Sequence, residues 1–190
     1  MIPISEILDK DNFTREDIIR LLASENEDRS ALFARSAKVK EENVGNIVYF
    51  RGLIEFSNIC GKNCFYCGIR KGNKKANRYN LTDDEILEAA RFACESNYGS
   101  VVLQGGELEG EAFTLRIERL LQRIKELSDG RLGITLSVGE QTREVYRRWY
   151  AAGAHRYLLR IESSDRDLYY RMHPRDKKHS FERRLQALYD

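Results

Sequence analysis

From residue 46 onward the sequence alternates short β-prone runs with amphipathic helical patterns, and this alternation restricts the fold more than any other feature. Ile47-Val48-Tyr49-Phe50 and then Leu53 to Phe56 read as strand. Thr82 and Glu85 are spaced as a capping box. They open a helix whose Ile86, Leu87, Ala90, Ala93 and Cys94 recur at helical spacing, with Gly99 placed to end it. Ser100 to Leu103 is a continuous apolar run, as expected of a parallel strand covered on both faces. A helix from about Glu111 to Leu127 closes near Gly130, and Leu132 to Leu136 is the next strand. A helix carrying Val145, Tyr146 and Trp149 stops at Gly153, and Arg156 to Ile161 is a further strand. Helical patterns then fill Asp165 to Met172 and Phe181 to Leu188.

Strands separated by amphipathic helices indicate βα units and a parallel sheet, so the expected class is α/β, a (β/α) TIM-type barrel. A flavodoxin-like doubly wound sheet is the alternative, and periodicity alone does not separate the two. Residues 46–190 hold four βα units, whereas a full barrel takes about 250 residues. The expectation is therefore about the first half of a barrel, the N-terminal part of a longer protein. Residues 1–45 read as a charged helical cap, with apolar faces at Ile18, Ile19, Leu21 and Leu22 and at Leu32, Phe33 and Val39.

Charge is close to balance, 32 Lys plus Arg against 30 Asp plus Glu, which gives no argument for nucleic acid or a membrane surface. No apolar run approaches the roughly 20 residues that span a bilayer, and the N-terminal residues lack the basic and apolar regions of a signal peptide. The cytoplasm is the expected compartment, where clustered cysteines favour a metal site over a disulfide knot.

Three of the four cysteines, Cys60, Cys64 and Cys67, fall within eight residues directly after a strand. Iron–sulfur centres are held by thiolates at such short spacings. A structural zinc ion takes four ligands, and no fourth Cys or His lies nearby. A [4Fe–4S] cluster with three cysteine ligands leaves one iron open to a further ligand. A zinc site completed by a distant residue, or incidental thiols, are the competing readings. Cys94 shares a helical face with Ile86, Leu87 and Ala90 and reads as core. Gln104-Gly105-Gly106-Glu107 follows the strand Ser100 to Leu103, at the end where barrels bind ligands. Two glycines let the backbone approach a ligand closely, and Glu107 suits an ammonium, although a tight βα turn accounts for the same residues. His155, His173 and His179 show no metal spacing with the cysteines and read as loop or core. The Lys71, Lys74, Lys75 and Arg78 run reads as a solvated loop.

Cys60-x3-Cys64-x2-Cys67, the aromatic Tyr66 before the last cysteine, and Gly105-Gly106-Glu107 after the next strand resemble the radical S-adenosylmethionine (SAM) superfamily. Arg51 to Asn58, Tyr66 to Arg70, Val102 to Glu107 and Tyr157 to Glu162 are similar to one branch, the HydE-like [FeFe]-hydrogenase maturases. Biotin synthase and methylornithine synthase lie in the same neighbourhood. The resemblance implies a [4Fe–4S] cluster on Cys60, Cys64 and Cys67, with SAM chelating the open iron and cleaved to a 5′-deoxyadenosyl radical. It implies that Gly105, Gly106 and Glu107 hold the methionyl ammonium and that the Tyr66 segment lies along the adenine. Ser137, Glu162 and Arg184 match SAM-contacting positions, Glu162 suiting ribose hydroxyls or an ammonium and Arg184 the SAM carboxylate. Arg160 shares a strand face with Glu162 and is a candidate for an anionic substrate, or for balancing a buried Glu55.

The implied role is assembly of the hydrogenase diiron subcluster. The implied partners are a small-molecule or iron-complex substrate, other maturases, and an electron donor such as a flavodoxin or ferredoxin. A methylornithine-synthase-like or biotin-synthase-like enzyme, or an inactive cluster- and SAM-binding fragment, is the alternative.

Overall fold

The computed structural model describes residues 2–190, which divide into two compact units, one up to Val48 and one over Tyr49–Asp190. The first unit holds three helices, α1 (Ile4–Leu8), α2 (Arg15–Leu22) and α3 (Asn26–Val44). Thr14 and Asp17 form a capping box at the start of α2, and Lys10 pairs with Asp17 at 2.8 Å. Its core is small, comprising Ile4, Ile7, Leu8 and Leu21 with Leu32 against them. Of the apolar faces expected here, Ile18, Ile19, Leu22, Phe33 and Val39 are exposed, and α3 buries no residue.

The second unit is a four-stranded parallel sheet in the order β1 (Arg51–Ser57), β2 (Ser100–Gly105), β3 (Gly133–Ser137), β4 (Arg156–Tyr157). The helices α4 (Asp83–Glu95), α5 (Glu111–Leu127) and α6 (Arg143–Ala151) connect successive strands, followed by α7 (Arg166–Met172) and α8 (Phe181–Tyr189). Sequential strand order excludes the flavodoxin-like alternative, in which the order reverses at a switch point. It is the order of consecutive barrel strands.

Apolar periodicity explains the packing. Ile86, Leu87, Ala90 and Ala93 of α4 and Ile117, Leu120, Leu121 and Ile124 of α5 meet Val101, Leu103, Ile134 and Leu136 of the sheet in one core. Thr82 and Glu85 form the expected box at the start of α4. Asn97, at φ +57°, takes the left-handed position after that helix, rather than Gly99.

Three strand expectations are corrected. Residues 47–50 are not strand, and all four side chains are exposed, with a single backbone link from Gly99 N to the Phe50 carbonyl at 3.2 Å. β4 covers two residues rather than six, because its pairing partner β3 ends at Ser137 and one further bond, Leu158 N to the Leu136 carbonyl at 2.8 Å, ends the register. β2 is not covered on both faces. Val101 and Leu103 are buried, whereas Val102 and Gln104, pointing to the other side, are only partly covered.

Because the strands are parallel and nearly in register, their C-terminal ends lie together, with Glu55 beside Gln104 and Gln104 beside Ser137. The loops after β1, β2, β3 and β4 thus open at one mouth. Trp149 fixes the far part of this frame. It donates from Nε1 to the Thr114 carbonyl at 3.1 Å, meets Phe113 edge-on and stacks on Tyr157 at 9°. Trp149→Ala is expected to cost about 3–5 kcal/mol in denaturant unfolding, by cavity creation at a fully packed site. A loss below about 1 kcal/mol would contradict this packing.

Candidate functional site

The loop after β1 carries the three cysteines, and their side chains line one cavity of about 400 Å³. That size lies within the range of small-molecule sites. Gly105, Gly106 and Glu107 bring the end of β2 to the same cavity, and Ser137 brings the end of β3. Tyr66 lines it from the cysteine loop, Arg160 and Glu162 from the segment after β4, and Arg184 from α8.

Two glycines make this convergence possible. A Cβ on Gly106 would lie 2.2 Å from the Ile59 carbonyl oxygen and 2.8 Å from Cys60 Cβ, so only glycine lets the two loops touch. A Cβ on Gly139, which sits at φ +87°, would lie 1.9 Å from Glu107 Cγ. Gly61 N donates to the Glu107 carbonyl at 2.8 Å, tying the cysteine loop to the second loop through backbone.

Behind the glycines is a buried charge network. Lys62 Nζ lies 2.8 Å from Glu107 Oε1 and 2.6 Å from Glu140 Oε1, and it also donates to the Lys178 carbonyl. Arg184 lies 3.0 Å from Glu107 Oε2 through Nη2 and 3.0 Å from Glu140 Oε2 through Nε. Burial works against the Arg184 charge, but Glu107 and Glu140 outweigh it and hold the guanidinium more firmly protonated. Glu107 Oε1 and Glu140 Oε2 are buried and meet their cations at ion-pair distance without a hydrogen bond. Glu107 also lines the cavity, so this anchored carboxylate borders the space a ligand would occupy. Arg184, expected to meet the SAM carboxylate, is a buried helical arginine that lines the cavity and is engaged with two carboxylates of the protein.

A second layer supports the loop from α7 and the segment after it. His179 Nε2 accepts from Asn63 N at 2.9 Å and its Nδ1 lies 2.7 Å from Asp176. His173, buried, stacks on Tyr169 with ring centres 4.0 Å apart and meets the Tyr66 hydroxyl at 3.4 Å. Burial lowers the His173 pKa and pushes Tyr169 up to about 12.

Other expectations are corrected. Glu55 is exposed, not buried, and accepts from Gln104 Nε2 at 3.0 Å, so Arg160 has no buried carboxylate to balance there. Arg160 and Glu162 do line the cavity, but not as strand neighbours, since residues 158–162 are irregular and Glu162 sits at φ +65°. Cys94 is half-buried on the last turn of α4, at the opposite end of the sheet, with its sulfur 3.7 Å from Arg131 Nη2 rather than in the core. Lys71, Lys74 and Lys75 are solvated, but Arg78 is bonded to four backbone carbonyls. Lys62, Glu140 and His179 are site residues that the motifs do not contain. The Gly139-Glu140 dipeptide past β3, repeating Gly106-Glu107 past β2, is the sequence signal for one of them.

The family model of the radical SAM superfamily matches residues 54–190, and the chain belongs to that superfamily. Membership implies an iron–sulfur cluster and SAM in general terms. The chain is 39% identical to the [FeFe] hydrogenase maturase subunit HydE of Thermotoga maritima, over 97% of this chain and 51% of that protein. Methylornithine synthase (PylB) matches in structure with a TM-score of 0.76 at 25% identity, over 99% of this chain and 55% of that one. HydG from Carboxydothermus hydrogenoformans, an FeFe-hydrogenase maturase, matches with a TM-score of 0.78 at 26% identity, over 98% of this chain and 44% of that one. The chain thus spans about half the length of the relatives it matches. Its α/β fold with a four-stranded parallel sheet matches these radical SAM TIM-barrel enzymes over about half of their chains. Among the described residues, no helix is long and apolar enough to cross a membrane.

The donor set fits a cluster. Burial pushes the Cys64 thiol up to about 11, and the neighbouring Cys60 and Cys67 add to the shift, as expected when three sulfurs crowd one another. A bound cation would relieve that repulsion. In the metal-free protein at pH 8, Cys64 is expected to alkylate about a hundredfold more slowly than an unhindered cysteine, the rate rising with pH towards 11. Mass-spectrometric mapping of the modified cysteines checks this, and alkylation of Cys64 at the free-thiol rate would contradict it.

Proposed function

We propose that Cys60, Cys64 and Cys67 hold a [4Fe–4S] cluster whose fourth iron accepts SAM, and that the chain performs HydE-like radical chemistry in [FeFe]-hydrogenase maturation. The observation that carries this reading is the convergence of three thiols and Gly105-Gly106-Glu107 on one cavity of ligand size. When bound, the reduced cluster supplies the electron for cleavage of SAM to methionine and a 5′-deoxyadenosyl radical.

The residues of the chain divide the remaining work. Gly105 and Gly106 allow backbone to approach the methionyl group, and Glu107, which lines the same cavity, receives its ammonium. Arg184, which lines the cavity from α8, is the donor for the ligand carboxylate. Ser137 and Glu162 serve the ribose side, and the Tyr66 segment lies along the adenine. Arg160 faces a small-molecule or iron-complex substrate as its cation. Other maturases and a flavodoxin or ferredoxin are the partners this role calls for, in the cytoplasm. HydE is the relative on which the maturation role rests.

Anaerobic reconstitution with iron and sulfide is expected to yield about four irons per chain. Cys64→Ala should lose most of that iron, and addition of SAM and dithionite to the reconstituted chain should release 5′-deoxyadenosine. Full iron loading in the Cys64→Ala protein would overturn the cluster assignment. Iron loading without 5′-deoxyadenosine would leave a cluster-binding protein in place of a radical enzyme.

A further inference from the structure

Residues 58–82 form one irregular connection between β1 and α4. Loops of this length without secondary structure are uncommon, and holding one in a single form costs entropy that specific contacts have to offset. The base of the loop is closed by pairing across its two ends. Asn58 N donates to the Tyr79 carbonyl at 3.3 Å, Tyr79 N to Asn58 Oδ1 at 2.9 Å, and Asn58 Nδ2 to the Asn77 carbonyl.

Inside that base a single guanidinium gathers the rest. Arg78 Nη1 donates to the Asn58 carbonyl at 2.7 Å and the Ile69 carbonyl at 2.8 Å. Its Nη2 donates to the Arg70 carbonyl at 2.7 Å and the Asn73 carbonyl at 3.2 Å. One side chain therefore joins the residue two before Cys60 to residues two, three and six after Cys67. A planar fork of five donors suits this task, and an ammonium does not present the same directions. None of the four bonds uses a sulfur, so they leave the three thiols free for metal. Charge-assisted bonds from one rigid group to both arms of a loop act as a cross-link.

We propose that Arg78 is a positioning residue that closes the cysteine loop before metal arrives, so that three thiols already face the cavity when iron is delivered. This rests on the reading of Cys60, Cys64 and Cys67 as cluster ligands, but its structural part is tested without iron. Arg78 is exposed, so its loss leaves the hydrophobic core untouched.

The test is hydrogen exchange on the metal-free chain, comparing the parent with Arg78→Met and Arg78→Lys. The amides of Arg70, Lys71, Gly72 and Asn73, all bonded within the loop, are expected to lose at least about tenfold in protection in both variants, while α4 and α5 keep theirs. After reconstitution, a chelator should strip iron from both variants at least about tenfold faster than from the parent, with the visible sulfur-to-iron absorption as readout. Unchanged loop exchange in Arg78→Met, or protection lost equally across α4 and α5, would overturn the proposal. So would parent-like chelator resistance in a reconstituted Arg78→Met protein. A parent chain that binds no iron would refute the cluster reading instead, with the exchange experiment still deciding the role of Arg78.

Discussion

Lys62 lies between two carboxylates, Glu107 and Glu140, and the candidate site depends on that placement. It comes from the cysteine loop, whereas the carboxylates come from the ends of β2 and β3, and Arg184 of α8 closes the group from the other side. Arg183 of α8 adds a third cation, 3.5 Å from Glu140 and 2.6 Å from Glu109, so three cations meet three carboxylates. Buried charges are tolerable only when all are matched, since removing one leaves another without compensation. The network therefore joins three loops and one helix at a fixed spacing, and the glycines at 106 and 139 set how closely they approach.

The same arrangement explains how one carboxylate serves two tasks. Glu107 is anchored by Lys62 and Arg184 and still lines the cavity, where a ligand ammonium would be a further cationic partner. Arg184 is held through Nη2 and Nε and lines the same cavity. Preorganisation of this kind spares a ligand the cost of ordering its own partners. The sheet contributes position more than chemistry, because parallel strands in register deliver their C-terminal ends to one level.

Much of this was legible in the residues. The alternation of strands and helices predicts the parallel sheet, and apolar spacing in α4 and α5 predicts the faces they bury. Cys60, Cys64, Cys67 and Gly105-Gly106-Glu107 are visible because their spacing is short and local. Less visible was whatever depends on a partner distant in the chain. Ile47 to Phe50 has strand propensity, but its one backbone link to the sheet is Gly99 N to the Phe50 carbonyl, and the pairing of β4 with β3 ends at Leu136 and Tyr157. Lys62 and Glu140 are 78 positions apart, and beyond the Gly-Glu pair repeated past β3 nothing local marks their pairing. Arg78 sits among lysines that are solvated, and its different role follows from four carbonyls that only the folded loop brings together.

The dependence of the site on its charge network is tested most directly by a double-mutant cycle on unfolding free energy with Lys62→Met, Glu140→Gln and the pair. Each single change is expected to destabilise by stranding its partner, and the double variant to lose less than the sum, with a coupling of at least about 1 kcal/mol. Additivity within about 0.5 kcal/mol would show that the two residues act independently and that this network does not hold the loops together.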